Sequence, residues 1–86
     1  MENEKMTFNK WLETFLSEKG ISLEHVLTIE RPSGANFIPV GCLVDLMKQA
    51  PKHEQAGIKS MIVQIDFRNG DVLDYFRHLA RAWQLR

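Results

Sequence analysis

Cysteine is almost missing from this chain of 86 residues: Cys42 stands alone, so no intrachain disulfide can form and no secretory disulfide framework exists. No stretch approaches the ~18 consecutive apolar residues that a membrane-spanning helix needs. The opening Met1-Glu2-Asn3-Glu4-Lys5 carries charge of both signs, unlike a secretory signal. Together these absences predict a soluble, cytoplasmic protein with no membrane association. An excess of either charge is missing too, because 11 basic side chains balance 11 acidic ones. That balance argues against a protein whose main task is sequence-independent grip on phosphate backbones, where basic excess supplies most of the affinity. Proline and glycine are sparse, at three and five, and where they occur they punctuate.

What is present is an ordinary globular composition, 44% hydrophobic and 26% charged, which predicts one folded domain over residues 1 to 86 with a single core. Residues 1 to 6 are expected to fray. Thr7 is placed to cap a helix in which Phe8, Trp11, Leu12, Phe15 and Leu16 recur at the spacing of one buried face, and Gly20 stands where a left-handed residue ends such a helix. Near the other end, Asp71 caps a second stripe of Val72, Tyr75, Phe76, Leu79, Ala80 and Trp83. These two aromatic helices are expected to pack on each other.

The middle of the chain is less uniform. Ser22 as cap, with Ile21 and Val26 flanking it, predicts a short helix to about Thr28; the competing reading is a hairpin, with Val26 to Glu30 turning at Pro32-Ser33-Gly34 and returning through Phe37 to Val40. Pro39 suits the first turn of a helix carrying Val40, Leu43, Val44 and Met47 on one face, and Pro51 closes it and opens the next. From Lys52 to Phe67, Ile58, Met61, Ile62 and Ile65 fit a helical face, while Met61, Val63, Ile65 and Phe67 fit a strand; the length of the segment favours helix. The predicted fold is therefore mainly α, a compact single-domain bundle of four or five helices. The alternative is α+β, with a small antiparallel sheet from residues 26 to 40 and 61 to 67.

No residue set adds up to a known reaction. A zinc site needs three or four ligands at characteristic spacing, and His25, Cys42, His53 and His78 share none. Asp66, Asp71 and Asp74 lack the alternating pattern of a calcium loop, and Asp71 and Asp74 are explained by capping and by the helix dipole. Cys42 near a helix start could serve as a nucleophile, but a lone cysteine is more often a small buried hydrophobe. No catalytic residue, metal or cofactor is expected, and an enzyme using Cys42 with a histidine is the least favoured reading.

Binding is better supported. The segment Arg31 to Pro39 combines turn chemistry with Phe37, which predicts an ordered recognition loop whose partner-binding residues are Arg31, Ser33, Asn36 and Phe37. A second candidate is a helix-turn-helix-like pair, residues 40–50 and 52–65, with Lys52, Gln55 and Lys59 placed to touch DNA. The net neutrality weighs against it. The C-terminal Arg77, His78, Arg81 and Arg86 beside Tyr75 and Trp83 could hold an acidic partner or RNA, though a solvated helix face over a buried aromatic stripe is the favoured explanation.

Ser33-Gly34-Ala35-Asn36-Phe37-Ile38-Pro39 and Ile65-Asp66-Phe67-Arg68-Asn69-Gly70-Asp71 resemble segments of small uncharacterised bacterial proteins carried on mobile elements such as plasmids, phages and gene cassettes. The resemblance spans nearly the whole chain and attaches no activity or functional residue. It implies an accessory role, as a regulator or inhibitor that binds another macromolecule. The sequence thus predicts a non-enzymatic protein-interaction module that also self-associates, with a small DNA-binding regulator as the alternative.

Overall fold

Thr7 opens the first helix as its spacing requires: its hydroxyl accepts from the Lys10 N–H at 3.2 Å, satisfying one of the donors a helix start leaves unpaired. The computed structural model describes residues 6 to 85, so the expected fraying lies almost entirely outside the described residues. The elements run α1 (Phe8–Glu18), β1 (Val26–Arg31), β2 (Gly34–Pro39), α2 (Val40–Gln49), α3 (Lys52–Phe67) and α4 (Val72–Ala82). The protein is mostly helical, with four helices and one two-stranded antiparallel sheet. It is thus closer to the α+β alternative than to a bundle of helices alone.

The expected short helix after Ser22 is a turn followed by a strand. Ser22 does cap locally, its Oγ accepting from the Glu24 N–H at 3.1 Å and its carbonyl from the His25 N–H at 3.1 Å, but the turn goes no further. From Val26 the side chains alternate instead. Leu27 and Ile29 are buried while Val26, Thr28 and Glu30 are exposed, a period of two that a helix cannot bury. The segment expected as a recognition loop is the turn and second strand of this hairpin, with Leu27 opposite Ile38, Thr28 opposite Phe37 and Val26 opposite Pro39. Pro32 presets φ near about −65°, which the mirror-image turns favoured in two-residue hairpins do not allow. Gly34 takes up the difference with φ 133°, a conformation open to glycine and strained for other residues.

No linker separates the hairpin from α2. Pro39 ends β2 and is the N-cap of α2, offering no side-chain cap, so the first helical donors find other acceptors. The Val40 N–H donates to the His25 carbonyl and the Gly41 N–H to the Leu23 carbonyl, each at 2.8 Å. Residues leading into β1 thereby satisfy the start of α2. At its far end the helix is tied to α3, where Gln55 Nε2 donates to the carbonyls of Met47 (3.3 Å) and Lys48 (3.0 Å).

The core is one cluster. Its centre is mainly aliphatic: Leu27, Ile29 and Ile38 from the hairpin, Val40, Leu43, Val44 and Met47 from α2, Ile58 and Ile62 from α3, with Leu12, Phe15, Leu16 and Val72, Phe76, Leu79, Ala80 closing it. Fully burying a leucine or isoleucine contributes about 1.5–3 kcal/mol, so the hairpin's inner face is a substantial part of the fold's stability. The two aromatic stripes do not zip together. The main neighbour of α1 is α3, and α4 lies against β1. Phe8, Trp11, Tyr75 and Trp83 are half-buried at the rim, with Trp11 stacked on Phe15 at 5.5 Å between ring centres. Residues 61–67 are helix, not strand, continuing α3 with Ile58 and Ile62 facing inward.

The join between α3 and α4 separates two roles that glycine usually fills together. Asn69 takes the left-handed conformation, φ 60°, while the Gly70 N–H reaches back to the Ile65 carbonyl at 2.7 Å. A Cβ on Gly70 would stand 2.8 Å from Ile65 Cγ2 and 3.2 Å from its carbonyl oxygen. Gly70→Ala is expected to destabilise the fold by about 1–3 kcal/mol through overpacking, whereas Asn69→Gly changes stability by less than about 1 kcal/mol. Urea denaturation of the two variants checks the contrast.

Candidate interaction surface

The strand alternation that buries Leu27 and Ile29 sends every second residue outward, and the outward set is unusual. Val26, Thr28 and Glu30 of β1 face out beside Pro39, Phe37 and Ala35 of β2, and all six are exposed. Phe37 is 64% exposed and Val26 46% exposed, where the solvent side of a hairpin would ordinarily be polar. Leu23, 53% exposed, sits three residues before β1 against Gly41 at the start of α2. Leu23 also rims an apolar cleft of about 280 Å³ with Leu16, Ile21 and Val44, across which Lys48 Nζ and Glu13 Oε2 meet at 2.7 Å. The hydrogen bond from Lys48 holds the Glu13 carboxyl below its ordinary range. This pair therefore contributes above the ordinary carboxylate pKa and is lost as pH falls through the depressed one.

The sequence grouped Arg31, Ser33, Asn36 and Phe37, and the hairpin separates them. Phe37 points outward, Ser33 is in the turn, and Arg31 and Asn36 lie on the inner side in register with Gly34 and Ile29. Arg31 is half-buried, and its Nε and Nη2 are shielded from solvent with no acceptor among the described residues. Val26 and Leu23 were missed because the same residues read equally well as the hydrophobic face of a short helix. Their signal was the alternation of Leu27 and Ile29, which leaves Val26 outside.

Of the three candidate DNA contacts, two serve the fold. Gln55 bonds the end of α2 as described, and Lys59 Nζ stands over the Trp11 ring, 5.3 Å from its centre. Lys52 is exposed at the first turn of α3. Cys42 is exposed, correcting the expectation of a buried hydrophobe. On α2 it lies nearly opposite Val40, Val44 and Met47, a position its spacing already implied. Among the described residues no three His, Cys, Asp or Glu side chains gather as metal ligands. Tyr75 is shifted upward by burial alone, Arg77 pairs with Asp74 on its own helix, and Arg86 lies outside the described residues. No helix among them is long and apolar enough to cross a membrane.

Shielded guanidinium donors without an acceptor cost stability that an apolar side chain of similar length does not. Arg31→Met is therefore expected to raise the unfolding free energy by about 1 kcal/mol, read from denaturant midpoints at constant slope. A loss of stability would show that the guanidinium is satisfied in solution. Comparison of the chain with known protein families, curated proteins and solved structures finds no match.

Proposed function

We propose that this chain is a non-enzymatic protein-interaction module, a regulator or inhibitor that binds another protein through the outer face of its β-hairpin. The observation that carries the reading is Phe37, an aromatic side chain 64% exposed in the middle of a regular strand, with Val26, Pro39 and Ala35 around it. Aromatic side chains of this kind are enriched where protein interfaces concentrate their binding energy, and contiguous exposed apolar surface on a small domain marks interaction sites. Docking of the opposite face into the core holds the patch rigid, so little conformational freedom is lost on binding. An accessory binding role is also what the resemblance to proteins of mobile elements implies. The alternative, a DNA-binding regulator built on α2 and α3, is less well supported, since Gln55 and Lys59 have structural partners.

Retention of host proteins on the immobilised chain, identified by mass spectrometry, tests the reading. A specific protein held by the wild type is expected to bind at least about tenfold more weakly to Phe37→Ser, with the melting temperature unchanged because the side chain is exposed. Equal retention by both forms would remove the hairpin from consideration. Salt-sensitive retention on duplex DNA, weakened by Lys52→Ala, would favour the alternative.

A further inference from the structure

Helix α3 is apolar on one side and uncharged on the side opposite. Ile58 and Ile62 are buried, and Ile65 packs partly against the core, yet the far side presents Ala56, Ser60, Val63 and Phe67, all exposed. Phe67 is 85% exposed and Val63 48% exposed. The spacing of these four residues is 4, 3, 4, the interval at which side chains of one helix seat between those of another in a coiled-coil seam. No charged residue interrupts the seam. Only one of these two sides is covered within the chain.

We infer that α3 pairs with α3 of a second copy of this chain, antiparallel across a two-fold axis near the middle of the helix. Size and charge on the helix select both the occupant and the direction. In the antiparallel arrangement Ala56 faces Phe67 of the second copy and Ser60 faces Val63 of the second copy, so each large side chain meets a small one, and the axis repeats both contacts. A parallel arrangement sets Phe67 on Phe67 and leaves Ala56 on Ala56, crowding one end and opening a gap at the other. Along one flank of the seam stand Lys52, Lys59 and Asp66, basic toward the start of the helix and acidic toward its end. Antiparallel pairing brings Lys59 beside Asp66 of the second copy, twice, while parallel pairing sets Lys59 against the uncharged Gly57 and Gln64 flank. Within one chain Asp66 meets Lys19 at 2.8 Å and Lys59 lies over Trp11, and both residues stay partly exposed, so the intermolecular pair has to share or replace these contacts with α1. A seam of 16 residues is about 24 Å long, which places the dimer at the small, weak end of specific interfaces. The inference stands apart from the hairpin reading, because the two faces share no residue.

Sedimentation equilibrium from about 1 μM to about 1 mM tests it, in a Cys42→Ser background so that the exposed thiol cannot join copies covalently. The expected result is a monomer–dimer equilibrium that Phe67→Glu weakens at least about tenfold, with the melting temperature at limiting dilution unchanged. Lys59→Glu is expected to weaken it several-fold, and Lys59→Glu with Asp66→Lys to recover most of the loss. Phe37→Ser should leave the equilibrium where it was, which separates this result from failure of the hairpin reading. A monomer throughout the range overturns the inference, as does a dimer indifferent to Phe67→Glu. Charge reversals that fail to compensate while the melting temperature at limiting dilution stays unchanged, so that the contacts of Asp66 with Lys19 and of Lys59 with Trp11 are not the cause, overturn the antiparallel register.

Discussion

The rest of the structure depends on one docking event, the burial of Leu27, Ile29 and Ile38 beneath the helices. A two-stranded hairpin is marginal by itself in water, so β1 and β2 persist because their inner face is covered, with α4 against β1 and α2 against β2. The hairpin in turn supplies the start of α2. With Pro39 at the N-cap there is no side-chain oxygen for the orphan donors, and the carbonyls of Leu23 and His25 replace it. Neither element is complete without the other, so the hairpin's outer face is held fixed relative to the helices.

This arrangement explains where the polar chemistry went. The core contains no buried polar or charged residue among those described, and side chains that looked available for binding serve joints between elements. Gln55 holds the α2–α3 turn, Lys59 covers Trp11, and Lys48 and Lys19 tie α1 to α2 and α3 through Glu13 and Asp66. What remains for interaction is apolar surface on regular elements, the outward side of the hairpin and the outward side of α3. Such surface costs solubility unless something covers it, whereas the charged face of the C-terminal helix is at ease in water.

Helix ends and helix faces were the legible part of the chain. Thr7, Gly20 and Asp71 act where their residue types suggested, and the α2 stripe of Val40, Leu43, Val44 and Met47 is buried as its spacing required. Both signals are local, decided within one or two turns of chain. The hairpin was legible only as a competing reading, because Ile21, Ser22 and Val26 also satisfy the start of a helix and β2 is made of Gly34, Ala35, Asn36 and Pro39 around a single buried Ile38. The candidate site was half legible. Phe37 is exposed, as a binding residue has to be, but Arg31 and Asn36, grouped with it by closeness in sequence, lie on the inner side, because a strand sends neighbours to opposite faces.

By itself, the sequence determined the positions of α1, α2 and α4, the caps Thr7 and Asp71, the single core and the absence of a disulfide within the chain, because each follows from residue type and short-range spacing. Only the tertiary structure decided that residues 26–39 form a hairpin, that α1 lies on α3 and α4 on β1, and that Val63 and Phe67 are left facing outward. The physical reason is that a strand of poor intrinsic propensity, or a helix with apolar residues on two sides, acquires its conformation and its inside from what packs against it.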